Sequence, residues 1–272
     1  MNKDLQFSGL WAVILGGSSG FGFAAAEKLA AHGMNIAALY RETSVSEKPL
    51  LQKFKNIAAI NGVTILPYNV NALDTAGRES FIEHFISAEK SKSKQVKLLL
   101  HSIARGNLKP LAAENVDPTD TSLLSDEDIR FTTYAMSNSL LDWTRALLKA
   151  KLFHTDARII GLTSEGAHKY WDAYAAVSIA KASLESLAKY MAVEFSPYGI
   201  KTNVIQAGIT ETSSLKKIPG SEKLLKIGKT RNPMGRITRP ADVANVIYLL
   251  CTDEAFWING ALIHADGGEH CK

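Results

Sequence analysis

Apolar and polar positions alternate along the chain in blocks rather than residue by residue. Short continuous apolar runs (WAVILG, NIAALY, VTILPY, KLLLHS, ARIIGLTS, IKTNVIQAG and ALIHADGG) are separated by longer stretches with apolar residues three and four apart. The first kind suits strands buried on both faces, the second amphipathic helices. FAAAEKLAAHG follows the first strand and stops at Gly33, where a helix C-terminal glycine belongs. DTAGRESFIEHFISAEK puts Phe81, Ile82, Phe85 and Ile86 at helical spacing, and longer helical patterns fill 126–153, 171–196 and 240–251. This alternation predicts α/β architecture: a doubly wound, Rossmann-like parallel sheet of about seven strands with helices on both faces. Such sheets bind ligands beyond the carboxyl ends of their strands, so chemistry is sought just after each strand.

No repeat and no Pro/Gly linker divides the 272 residues, so 1–272 reads as one dinucleotide-binding domain, with loops at 110–127 and 210–239. A 46% hydrophobic share and a mean hydropathy near zero are those of a globular chain. No apolar run approaches the roughly 20 residues of a membrane helix, which argues against a membrane partner. The N-terminal apolar stretch runs straight into glycines with no small-residue cleavage site, and reads as a strand rather than a signal peptide. Cys251 and Cys271 give neither a disulfide framework nor metal-ligand spacing, so no metal is expected and a reducing cytoplasmic setting fits. The net charge of +4 is mild and gives no ground for a nucleic-acid partner.

The first strand runs into Leu15-Gly16-Gly17-Ser18-Ser19-Gly20-Phe21-Gly22, and a helix follows. Glycines let the backbone turn tightly and approach a pyrophosphate with no Cβ in the way. The helix start adds free N–H groups and a positive dipole end. Ser18 and Ser19 offer hydroxyl donors. The spacing G-x3-G-x-G is not the G-x-G-x-x-G fingerprint, but its position between first strand and first helix points to a nicotinamide dinucleotide. The second strand ends Leu39-Tyr40-Arg41-Glu42. An acid there would bond a ribose 2′-hydroxyl, whereas an arginine pairs with a 2′-phosphate, so Arg41 favours NADPH. Glu42 leaves a second reading open, in which it neutralises Arg41 in a surface pair.

A serine after the fifth strand, a tyrosine and lysine opening the next helix, and Asp266-Gly267-Gly268 complete an ordered set of marks. With the glycine turn, they resemble the short-chain dehydrogenase/reductase family over nearly the whole chain. The pair usual in that family is Y-x3-K, the tyrosine donating a proton and the lysine holding the nicotinamide ribose. Here Val177 stands four before Lys181, and the tyrosine is Tyr174, seven before. Y-x6-K marks the enoyl-acyl-carrier-protein reductases within the family, and AKASLESLAKYMAVEFSPYGIKTNVI resembles their sequence. Tyr170 and Ser164 resemble the NADPH-dependent branch of these reductases. In the NADH-using branch a tyrosine occupies the place of Ser164.

Positions four and seven before a helical residue lie on nearly one face, so Tyr174 is expected to enter the site about 4.5 Å further along the helix axis. In a ketone, hydride lands on the carbon that bears the oxygen. In an enoyl thioester it lands on Cβ, and charge develops on the thioester oxygen two carbons away. A displaced donor suits that longer distance and stabilises the enolate. Lys181 is expected to position the ribose and to lower the tyrosine pKa from about 10.

Other implications follow from the resemblance. The family's catalytic asparagine is replaced by Met136, with Asn138 two residues on, a loss that enoyl reductases share. Asn69 replaces the acid after the third strand and, with Val70, is expected at the adenine. His101-Ser102-Ile103-Ala104 replaces N-N-A-G, as in enoyl reductases, and His101 reads as backbone-ordering scaffold beside the cofactor rather than a general base. Ala207 replaces the usual proline, and Gly208, the Thr210 backbone and the Thr212 hydroxyl are expected to face the nicotinamide amide. Tyr170, Tyr174 and Leu215 are implied at the substrate, and a homo-oligomer, tetramer or dimer, is implied for the assembly.

Between Leu215 and Arg239 stand Lys216, Lys217, Lys223, Lys226, Lys229, Arg231, Arg236 and Arg239 against one acid, Glu222. This is the stretch that forms the substrate flap in such reductases. Either it is a basic rim for an acidic acyl carrier protein, or it is a solvated helix face. Its apolar residues Ile209, Leu215, Ile218, Leu224, Leu225 and Ile227 either line an acyl tube or pack the flap down. The expected function is an NADPH-dependent enoyl-acyl-carrier-protein reductase of fatty-acid elongation. Two alternatives are a carbonyl or ketoacyl reductase of the same family and a non-catalytic dinucleotide-binding regulatory protein.

Overall fold

The computed structural model describes residues 6–87, 95–112, 122–212, 215–218 and 220–272. Among these residues, seven strands form one parallel sheet: β1 (Leu10–Leu15), β2 (Asn35–Tyr40), β3 (Ile65–Asn69), β4 (Gln95–His101), β5 (Phe153–Ser164), β6 (Ile200–Ala207) and β7 (Leu262–Ala265). Their order is β3-β2-β1-β4-β5-β6-β7. The chain therefore winds outward from β1 to β3, then crosses back to β4, leaving a topological switch between β1 and β4. The expected fold class is present. Pro67, which has no N–H to donate, sits in β3 at the sheet edge, where that loss is tolerated.

The described residues form eight α-helices, most of them packed on the sheet faces: α1 (Gly20–Ala31), α2 (Ser44–Asn61), α3 (Thr75–Ser87), α4 (Asp126–Thr133), α5 (Ser139–Lys149), α6 (Ala175–Glu194), α7 (Ser221–Arg231) and α8 (Pro240–Cys251). Alternate residues of β1 divide between two cores. Ala12 and Ile14 pack with Ala25, Leu29, Phe54, Val243 and Ile247, while Trp11, Val13 and Leu15 pack with Phe81, Phe85, Leu140, Trp143 and Leu184. Trp143 is fully buried and donates its indole N–H to the Ala72 carbonyl at 2.8 Å. Truncating it to alanine would cost about 3–5 kcal/mol.

Two predicted helices are interrupted near the switch-point end. The 126–153 pattern begins at Asp126, capped by Ser125, whose hydroxyl and Asp128 form a reciprocal capping box, but a π-helical turn at Tyr134–Asn138 divides α4 from α5. The 171–196 pattern becomes helical only at Ala175, because Ala173 has φ +53°, a left-handed conformation that cannot continue a right-handed helix. Tyr174 consequently stands at the N-cap of α6 rather than on its first turn. Of the 110–127 loop, residues 113–121 lie outside the described residues.

Candidate active site

The carboxyl ends of the strands open into a cleft of about 450 Å³ running across the β1–β4 switch. Its cofactor half begins at the glycine turn. Gly16 has φ +90°, and a Cβ there would lie 2.4 Å from the Ser102 carbonyl oxygen. A Cβ on Gly22 would lie 2.2 Å from the Gly16 oxygen, so this glycine lets the turn fold onto its own helix. Gly20 has φ +55° and faces open space apart from the Thr212 methyl. Ser19, the N-cap of α1, makes no side-chain cap bond, and the first turn carries no acid. The helix start is thus uncapped and its dipole end unneutralised beside an open backbone, which fits a pyrophosphate.

Most of the expected cofactor residues line this half: Gly16, Ser18, Ser19, Gly20, Phe21, Arg41, Val70, Ser102, Ile103, Gly208, Thr210 and Thr212. Arg41 is exposed and makes no ion pair among the described residues, so the expected alternative pairing with Glu42 is not formed. Glu42 is instead held by Asn69, whose amide accepts from the Glu42 N–H and donates to the Glu42 carbonyl, each at 3.0 Å. Asn69 itself is not among the lining residues, where Val70, Asn71, Ala72 and Leu73 stand, although its amide oxygen, accepting one bond, keeps a second lone pair. His101 and Gly22 lie behind the lining. His101 is buried, contacts Ser139 Oγ through Nε2 at 2.8 Å, and is pushed down to about 3 by burial and then by Lys181. A neutral ring inside the wall suits an ordering role better than acid–base work.

The reaction half gathers Ser164, Tyr174 and Lys181 on one cleft. Tyr174 Oη donates to Ser164 Oγ at 3.3 Å, and Ser164 Oγ also accepts from the Gly166 N–H at 3.2 Å. Gly166 is required here, since a Cβ would lie 2.5 Å from the tyrosine ring. Lys181 Nζ donates to the Leu162 carbonyl at 2.8 Å and is brought down to about 8 by burial, with Glu185 opposing. The Tyr174 phenol is raised by burial, and Ser164 is the group that opposes the rise. The expectation that Lys181 lowers it is therefore not met in this structure, because burial dominates and the lysine points at Leu162.

Leu108, Met136, Trp171, Val177, Leu215 and Ile218 form the apolar part of the wall, with Met136 presented by the π turn. Tyr170 is not among them: it is 88% exposed and reaches only Asp172, so its neighbour Trp171 takes the inward position. In the flap, Ile209, Leu215 and Ile218 face the cleft, whereas Leu224 and Leu225 are half-buried away from it and Ile227 is exposed. The basic rim is smaller than the sequence count. Lys216 pairs with Glu211, Arg236 with Asp242, and Arg231 turns inward to Glu165 and Glu269. Lys223, Lys226 and Lys229 remain exposed along α7. Glu165, Arg231 and Glu269 line the cleft, and sequence reasoning did not assign them to the site. Glu165 directly follows Ser164, the kind of strand-end position where chemistry was sought.

A buried phenol and a buried lysine facing a glycine-turn cradle across the switch point fit the short-chain dehydrogenase/reductase class of oxidoreductases. The family model described as Enoyl-(Acyl carrier protein) reductase matches residues 16–270, and the chain belongs to that family. The 3-oxoacyl-acyl-carrier-protein reductase FabG of Escherichia coli (strain K12) is 26% identical over 97% of this chain and 98% of its own. The enoyl-acyl-carrier-protein reductase (NADH) FabI of Aquifex aeolicus is 35% identical over 48% of each chain. The solved structure of the Aquifex aeolicus VF5 enoyl reductase aligns with a TM-score of 0.77 at 25% identity, covering 98% of each chain. FabI from Candidatus Liberibacter asiaticus aligns with a TM-score of 0.81 at 21% identity, over 100% of this chain and 98% of that one, a likeness of fold.

Proposed function

We propose that the chain is an NADPH-dependent enoyl-thioester reductase acting on acyl-carrier-protein-bound trans-2-enoyl substrates. One observation carries the reading: the phenol facing the cleft with Lys181 comes from Tyr174, while Val177 occupies the Y-x3-K position. The Gly16–Gly22 turn and Arg41 would hold NADPH, which would supply the hydride needed at Cβ of the substrate. Tyr174 offers its hydroxyl proton to the thioester oxygen as negative charge develops there, and its raised pKa keeps it protonated at neutral pH. Ser164 orients the phenol, and Lys181 presents a cation to the ribose side of the cleft. The apolar wall from Leu108 to Ile218 keeps water from the acyl group. Arg41, exposed at the end of β2 without an ion-pair partner among the described residues, supports a 2′-phosphate and hence NADPH.

Crotonyl and acetoacetyl thioesters assayed side by side test the reaction. Faster turnover of the crotonyl substrate is expected, and faster turnover of the keto substrate would overturn the reading. The second reading, a ketoacyl reductase, is favoured by the full-length likeness to FabG at 26% identity. Arg41→Ala tests the cofactor: a KM rise of roughly tenfold for NADPH alone is expected from loss of one charge-assisted contact. Equal effects on NADPH and NADH would remove that assignment.

A further inference from the structure

The segment between β6 and α8 leaves and rejoins the body at one place. Thr210 and Thr238 form a parallel bridge, and the Thr238 N–H donates to the Ile209 carbonyl at 3.1 Å. Against this neck lies Glu269, only 2% exposed and carried by the turn after β7. Its carboxylate accepts from the Ile209 N–H at 3.3 and 3.2 Å, just past the end of β6 where the segment leaves the body. It also receives Arg231 at 2.8 Å, from the last residue of α7, where the segment returns. Asn232 adds a 2.7 Å bond to the Asp266 carbonyl. The same guanidinium pairs with Glu165, next in sequence to Ser164, and Glu165 is held in turn by Lys169 at 2.7 Å. Gly208 permits this closeness, since a Cβ there would lie 2.9 Å from Glu269 Oε2.

One buried carboxylate thus joins both ends of the flap, and one guanidinium joins the flap to the strand that carries the serine. Buried ions of this kind are stable only when paired, so opening the flap at Arg231 leaves two acids without their shared cation. The flap is thereby biased toward one seating rather than a range of them.

We propose that Glu269 and Arg231 are positioning residues: by clasping the two ends of the flap, they fix the Gly208–Thr210 backbone at the nicotinamide side of the cleft. The inference rests on the reading above that this backbone faces the nicotinamide. It concerns neither the proton donor nor the choice of acyl group.

Four variants test it: Glu269→Gln, Glu269→Ala, Arg231→Met and Arg231→Lys. NADPH affinity is followed by fluorescence, and flap seating by the rate of tryptic cleavage after the exposed Lys223, Lys226 and Lys229. In Glu269→Ala and Arg231→Met, NADPH binding should weaken roughly tenfold and cleavage should accelerate, while kcat on the preferred thioester changes less than the cofactor KM. Arg231→Lys keeps a cation and should recover most of both readouts. Glu269→Gln, which still accepts from Ile209, should fall between. Thermal melts separate a loosened flap from a chain that fails to fold, and Glu269→Gln carries the test if the harsher variants do not fold: wild-type NADPH affinity and cleavage in it would then overturn the proposal. Wild-type NADPH affinity and wild-type cleavage in Arg231→Met would overturn the proposal, as would a loss of kcat with both unchanged. Because neither main readout needs a thioester, the clasp can stand while the enoyl assignment falls, and the reverse.

Discussion

Two buried ionic clusters occupy opposite ends of the sheet, and they are built as opposites. At the amino-terminal end of β5, Asp156 receives Lys97 of β4 and Lys201 of β6, each at 2.6 Å, together with Arg158 of its own strand. Arg158 is buried and also donates to the Leu250 and Thr252 carbonyls at the end of α8. At the carboxyl end, Arg231 is one cation shared by Glu165 and Glu269. The first cluster links three neighbouring strands already fixed by their backbone ladder. The second links the body to a segment that is part of the substrate cleft. Similar electrostatics therefore serve stability at one end and the placement of cleft residues at the other.

The largest expected effect lies at the reactive end. Tyr174→Phe should lower kcat by about 10²–10⁴, the usual share of a positioned proton donor, with NADPH binding retained. Retained turnover would move the proton-donor role away from this residue. Next comes the structural cluster. Asp156→Ala leaves three cations without their acid and should cost about 3–5 kcal/mol, seen as a lower urea midpoint, while the KM for NADPH in the folded enzyme stays at its wild-type value. A kinetic defect without a stability loss would break the contrast between the two ends.

The same cluster sets an acid limit. Burial alone would raise the Asp156 carboxyl, but hydrogen bonds from Arg158, Lys201 and Lys97 outweigh it and hold the group well below the ordinary range. Its depressed folded value means that the stability it contributes is present above the unfolded value of about 3.9 and is lost as pH falls below it. Urea midpoints measured from pH 6 down to pH 3 should decline less steeply in Asp156→Asn than in the wild type. The smallest effect is expected at Tyr170→Ala: the ring is exposed, and kcat/KM should stay within about twofold. A larger loss would return Tyr170 to the substrate side.

The doubly wound sheet of about seven strands, with helices on both faces, was legible because apolar runs of strand length and helical periodicity state which faces are covered. The glycine turn was legible too, since backbone proximity leaves glycine as its only trace. Less was legible where long-range pairing decides. Arg231 counted as one of eight basic residues in a row, and nothing local distinguishes it from Lys229 until Glu165 and Glu269 are brought beside it. The pairing of Asn69 with the Glu42 backbone spans 27 residues and leaves no local trace. Tyr170 and Trp171 are adjacent aromatics, and only the turn before α6 decides which of them enters the cleft.

That turn also separates two parts that a longer helix would weld together. Lys181 rides on α6, but Tyr174 is delivered by a bend whose shape depends on Ala173 at φ +53°. The reach of the phenol therefore depends on the bend at Ala173 as well as on the helix that carries the lysine. For anyone wishing to retarget the enzyme from one acceptor geometry to another, the bend is the natural dial, and Ala173 is the first position at which to turn it.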